Sequence, residues 1–136
     1  MAEPTASLRL SNWIGGVPCP PVSGEHFENL NPATSELLCE VPRSRAADVE
    51  RAVEAAREGA RIWGDVSVPE RAQLLDRVAD LIDARAESLA TLESRDQGKP
   101  RSLAARIDIP RAAANFRFFA GALVTRAPAP GRCLEP

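Results

Sequence analysis

Cysteine, histidine and lysine are the side chains that most readily supply nucleophilic, acid–base and metal chemistry, and this sequence is sparing with them. It holds three cysteines, Cys19, Cys39 and Cys133, one histidine, His26, and one lysine, Lys99. The cysteines are odd in number and widely spaced. They form no Cys-x-x-Cys pair and no zinc pattern with His26. They read as free thiols of a reducing compartment. A nucleophilic thiol needs a nearby base or cation to lower its pKa. No such base adjoins Cys133, and Cys39 lies in an apolar run, where a cysteine serves as a small core residue. His26 falls in an expected strand with no nucleophile near it, so no Ser/His/Asp arrangement forms. It reads as a surface or edge residue. Gly15-Gly16 lacks the spacing of a phosphate loop, and no G-x-G-x-x-G occurs. Lys99 follows a helix end and reads as a cap or ion-pair residue. No self-contained catalytic constellation emerges.

The elements that would position these residues are those of a soluble globular chain. Its 136 residues are 44% hydrophobic and 26% charged, which argues against wholesale disorder. Arginines interleave with Asp and Glu for a net charge of −2. There is thus no electrostatic footprint for nucleic acid or an anionic membrane, and neither is expected as a partner. Met1 to Leu10 lacks the apolar core of a signal peptide, and no run reaches the length of a membrane span. The expected location is cytoplasmic.

Leu8 to Ile14 reads as a strand, turned at Gly15-Gly16 into a second arm that Pro18, Pro20 and Pro21 confine to an edge. His26 to Leu30 and Glu36 to Val41 form another pair around the turn Asn31-Pro32-Ala33-Thr34. A first helix is expected from a Ser44 N-cap, with Val49, Ala52, Val53, Ala56, Ala60 and Trp63 as its apolar stripe, ending at Gly64. Ser67 to Glu70 is a capping box opening a second helix, whose Leu74, Leu75, Val78, Leu81 and Ile82 read as core. The pattern continues through Leu89 and Leu92, with a kink expected between Ala84 and Ser88. Gly98 suits a left-handed helix stop, and Pro100 the first turn of a new helix. That helix carries Leu103 and Ile107, and Pro110 forces a kink or a fresh start. Of Phe116, Phe118 and Phe119, at least one must face a partner. Residues 126–136, rich in proline, are expected to be disordered, with Cys133 accessible.

One series of motifs runs through these elements in order. It comprises Asn12-Trp13-Ile14-Gly15-Gly16, Asn31-Pro32-Ala33-Thr34-Ser35-Glu36, Asp48-Val49 through Ala55-Ala56-Arg57 to Trp63, Glu70-Arg71 with Leu74-Leu75, Ala79-Asp80-Leu81-Ile82, and Asp96-Gln97-Gly98-Lys99-Pro100. The series resembles the N-terminal part of the aldehyde dehydrogenase superfamily over residues 8–124, with 125–136 as a tail outside it. Asp108-Ile109-Pro110-Arg111 and Asn115 to Ala120 resemble the branch that oxidises 2-aminomuconic and hydroxymuconic semialdehydes.

The resemblance implies an α/β fold of which this chain carries the β-hairpins and three or four helices. It implies NAD(P)-dependent oxidation of an aldehyde or semialdehyde to a carboxylic acid. The family's catalytic cysteine loop, glutamate motif, cofactor lysine and glycine pair match nothing here. The chain is therefore expected to be a fragment or truncated form, silent by itself and without bound cofactor. The resemblance further implies a monovalent cation held by main-chain oxygens at Asn29 and Leu30 and by Asp96, with a later ligand missing. The alternative reading is an interaction module that docks on full-length dehydrogenase subunits; the partners expected are such subunits or further copies of the chain.

Overall fold

The structure, a computed structural model, describes residues 8–125. They fall into two compact units, residues 8–65 with Glu93–Lys99, and Val66–Leu92 with residues 100–125.

In the first unit, β1 (Asn12–Ile14) and β2 (Val17–Cys19) form an antiparallel hairpin with Asn12 opposite Cys19. Gly15 and Gly16 both hold positive φ, +61° and +81°, as a two-residue turn matched to strand twist requires. Leu8 to Leu10 does not extend this hairpin. It lies along β4 (Leu37–Pro42), where Leu10 N donates to the Glu40 carbonyl and Glu40 N to that of Leu8, each at 2.9 Å. A second hairpin pairs β3 (His26–Leu30) with β4, with a register shift between Asn29 and Leu30. Its turn is closed by the Asn31 side chain, whose Oδ1 accepts from Ala33 N at 3.0 Å.

Helix α1 (Ala46–Asp65) is not capped by Ser44, whose hydroxyl donates to Asn12 Oδ1 instead. The helix start is closed by Asp48 reaching back to Arg45 N at 3.0 Å. The other Asp48 oxygen accepts from Val22 N at 2.8 Å. One carboxylate thus joins the loop after β2 to the start of α1, and it is only 2% exposed. The two backbone donors, Arg45 first, hold its pKa below the ordinary aspartate range. Most of the apolar stripe expected on α1 is turned outward: Val49, Val53, Ala56, Ala60 and Trp63 are exposed, and Ala52 is half-buried. The sheltered side runs through Asp48, Ala52 and Ala55, with Ala55 beneath the Gly15 turn.

In the second unit, α2 (Val68–Ala84) opens on the expected capping box, Ser67 N donating to Glu70 and Glu70 N to Ser67 Oγ. Arg85, at φ −115°, breaks the helical run, and α3 (Ala86–Gln97) follows. Beyond Pro100 come a single turn, α4 (Arg101–Leu103), a π-helical segment Ala104–Asp108, and α5 (Ile109–Thr125). The fresh start expected at Pro110 takes the form of that π segment, whose wider turn lies where a proline ring would clash with an α-helical carbonyl four residues back.

The apolar face expected to form the core does so only in part: Leu75, Ile82 and Leu89 are half-buried. Leu74, Val78, Leu81 and Leu92 are exposed, and all of Phe116, Phe118 and Phe119 lie at the surface. The buried set of this unit is Ala72, Ala79, Ala90, Ala104, Ala113 and Ala120, none more than 5% exposed. Ala72 and Ala79 on α2, like Ala113 and Ala120 on α5, are two turns apart and share a face. Small side chains let these two helices approach closely. Arg117 of α5 fastens the pair, donating to Asp80 at 2.7 Å and pairing with Asp83 at 2.8 Å. Among the described residues, no helix is long and apolar enough to cross a membrane.

Two outcomes follow. Ala79→Leu overfills a fully buried site and lowers unfolding free energy by about 1–3 kcal/mol in urea titration, whereas Leu81→Ala costs about 0.5 kcal/mol or less. Asp48 has a depressed folded pKa, so the stability it contributes is complete above the unfolded aspartate value, about 4. It is lost as pH falls through the folded value. Asp48→Asn should flatten the acid limb of a stability–pH profile, and an unchanged limb would exclude this role.

Candidate functional site

The densest set of polar contacts in the first unit gathers where α3 ends beside the Asn31-Pro32 turn. Gly98, at φ +70°, takes the left-handed conformation that stops the helix, its N–H donating to the Ser94 carbonyl at 2.9 Å. Ser94 Oγ donates to the Lys99 carbonyl at 2.7 Å. Lys99 Nζ pairs with Glu93 Oε1 at 2.6 Å, the ion-pair role its position suggested. A Cβ on Gly98 would stand 3.1 Å from Pro32 Cβ, so the helix stop lies directly against the turn.

This packing brings Asp96 to Asn29. Asn29 Nδ2 donates to Asp96 Oδ1 at 2.8 Å, and Gln97 Nε2 donates to Oδ2 at 2.8 Å. The two amides, Asn29 first, lower the Asp96 pKa below the ordinary aspartate range. The side-chain role of Asn29 was not read from the sequence, which suggested only its main-chain oxygen. An Asn two residues before the Asn-Pro turn was the available signal. Leu30 sits at the register shift between Asn29 and Leu30. A carboxylate can take about four hydrogen bonds or ligands, so two amide donors leave it able to accept more. One carboxylate with main-chain oxygens is a hard, singly charged donor set. Among the described residues, no group of three or more His, Cys, Asp or Glu could hold a metal ion.

The other candidate groups are dispersed. Cys39 is buried in β4, and the Cys19 thiol points at the Val17 carbonyl, 3.7 Å away. The ring nitrogens of His26 face the carbonyls of Gly24 and Leu10, at 3.1 and 3.3 Å. Cys133 and the tail expected to be disordered lie outside the described residues.

A sequence model described as "Aldehyde dehydrogenase family" matches residues 20–129, most of the chain. The chain belongs to the aldehyde dehydrogenase family.

It is 46% identical to the EPTC-inducible aldehyde dehydrogenase of Rhodococcus erythropolis over 115 residues, covering 85% of this chain and 23% of that protein. To the 2-aminomuconic semialdehyde dehydrogenase of Bos taurus it is 44% identical over 126 residues, 91% of this chain and 25% of that one. Among solved structures it resembles PnpE in complex with nicotinamide adenine dinucleotide, with a TM-score of 0.80 at 35% identity, over 82% of this chain and 23% of that one. A P. syringae indole-3-acetaldehyde dehydrogenase variant in complex with NAD+ and IAA gives a TM-score of 0.83 at 32% identity, over 89% and 25%. The chain thus spans about a quarter of the length of the dehydrogenases it matches. The two hairpins and four longer helices are the expected piece of an α/β aldehyde dehydrogenase fold.

The Gly98 contact yields a comparison of opposite signs. Gly98→Ala combines positive φ with crowding at Pro32 and destabilises this dehydrogenase segment by about 1–2 kcal/mol. Gly59→Ala, in the open middle of α1, stabilises it by about 0.5–1 kcal/mol. Urea unfolding of the two variants checks both signs.

Proposed function

We propose that this chain serves an NAD(P)-dependent oxidation of an aldehyde or semialdehyde to a carboxylic acid, as the N-terminal portion of a dehydrogenase. The carrying observation is the family match over residues 20–129, joined to relatives of which the chain covers about a quarter. The semialdehyde preference draws on the 44% identity to the bovine 2-aminomuconic semialdehyde dehydrogenase. In such an oxidation the nicotinamide accepts a hydride and water supplies the added oxygen.

The part this segment plays is that of a frame. Asn29, Pro32, Asp96 and Gly98 lock a helix stop to a hairpin turn, and the paired Ala stripes hold α2 against α5. The family's cysteine loop, glutamate motif, cofactor lysine and glycine pair match nothing in these 136 residues, which supports the reading that they are silent by themselves and bind no nicotinamide cofactor. In the complete enzyme, the Asp96 carboxylate and the main-chain oxygens of Asn29 and Leu30 contribute to a monovalent cation site, with further oxygen ligands from outside this segment. The single charge of Asp96 and its capacity to accept beyond two amides support that assignment.

A chimera tests the reading. Residues 20–129 replace the matched segment of the Rhodococcus erythropolis dehydrogenase, and NADH formation with aldehydes is followed by absorbance. An active, NAD-dependent chimera beside an inactive isolated chain is expected. Turnover by the isolated chain, or a folded chimera without activity, would count against it.

A further inference from the structure

The chain's single histidine, His26, takes no part in the Asn29–Asp96 site, yet it bridges two backbone segments. Its Nδ1 lies 3.1 Å from the Gly24 carbonyl and its Nε2 3.3 Å from the Leu10 carbonyl. The loop before β3 is held locally: Gly24 N donates to the Pro21 carbonyl and Arg43 N to the Glu25 carbonyl, each at 2.9 Å. The Leu10 carbonyl belongs to the Leu8–Leu10 arm, which two main-chain hydrogen bonds with Glu40 lay along β4. The ring therefore stands between a fixed loop and an arm with few ties of its own.

Two carbonyls face the two ring nitrogens, and a carbonyl can only accept. A neutral imidazole carries one N–H, so in either tautomer it satisfies one carbonyl and turns a lone pair on the other. An imidazolium carries two N–H groups and donates to both. The charged side chains that line one hollow with the ring are Arg9 from the arm, Glu28 on β3 and Glu40 on β4. Arg9 donates to Glu40 at 2.6 Å, and Glu25, next to His26 in the chain, pairs with Arg45 at 2.6 Å. With Arg9 matched to Glu40, the Glu28 carboxylate suits a positive ring.

We infer that His26 is a proton-operated clasp: the protonated ring ties the Leu8–Leu10 arm to the start of β3, and loss of the proton loosens the arm from β4. Histidine is the side chain that ordinarily changes charge between about pH 5 and about pH 8. The clasp is closed at the lower end of that range and slack at the upper end. A loosened arm bares the outer edge of β4, a row of main-chain donors and acceptors.

The test follows amide exchange of the 136-residue chain by NMR at about pH 5 and about pH 8, each rate corrected for intrinsic exchange. The Leu10 and Glu40 amides bond between the arm and β4 and read the clasp. The amides of α2 show whether the whole chain loosens. Protection at Leu10 and Glu40 is expected to be about threefold to tenfold higher at the lower pH, the effect of one added hydrogen bond. That ratio should fall to about one in His26→Gln, whose amide donates alike at every pH. It should persist in Arg9→Gln, which removes the ion pair with Glu40 and leaves the ring. Far-UV circular dichroism shows whether each variant is folded, and the unaltered chain carries the test if His26→Gln unfolds. Equal protection at the two pH values in the unaltered chain overturns the inference. So does a ratio that survives His26→Gln, or one that the α2 amides share.

Discussion

The first unit depends on a close approach of two backbones, Gly98 at the end of α3 and Pro32 in the hairpin turn. A Cβ at position 98 would come within 3.1 Å of the proline ring, so the contact exists only because glycine stands there. The positive φ that glycine permits also stops the helix. One residue therefore ends α3 and seats its end on the turn. Once seated, Asp96 lies within reach of the Asn29 amide, and a segment far along the chain is tied to β3 by a charge-assisted hydrogen bond. Lys99 and Ser94 then fix the chain as it leaves.

The second unit rests on small residues rather than large ones. Its alanine stripes bring α2 and α5 together without bulky side chains between them, and no large side chain among the described residues is fully buried. Buried alanines remove little apolar area from water, so this interface gains less from the hydrophobic effect than a leucine core would. The Arg117 pairs with Asp80 and Asp83 are half exposed, where such pairs contribute little. Large apolar side chains turned outward and small ones turned inward are what a layer of a bigger fold requires. That matches a chain covering about a quarter of its relatives.

Element boundaries were legible where local chemistry decides them. The Gly15-Gly16 turn, the Ser67–Glu70 capping box, the break near Arg85 and the Gly98 stop each depend on residues within one turn of each other, and each was read correctly. Burial was not legible, because apolar periodicity says which side of a helix is greasy, not what covers it. On α1 most of the greasy side faces outward, and of its residues Ala52 joins Ala55 on the sheltered one. Ser44 had the right type for a cap, yet the nearby Asn12 competes for its hydroxyl, and Asp48 does the capping from inside the helix. In the candidate site, Asp96 and Asn29 were named from family motifs. The hydrogen bond between their side chains follows from tertiary packing, which no local pattern encodes.

The π-helical segment before Pro110 sets the angular phase of everything after it. At about 100° per residue, an unbroken α-helix would place Ala104 and Ala113 on opposite sides. Both are buried. The wider turn takes up a residue and rotates α5 back toward the side Ala104 faces. A stripe counted straight through Asp108 therefore arrives out of step. The proline and the turn before it act together as a clutch between two helical phases, and the side of α5 that goes inward is chosen by five residues that do not belong to it.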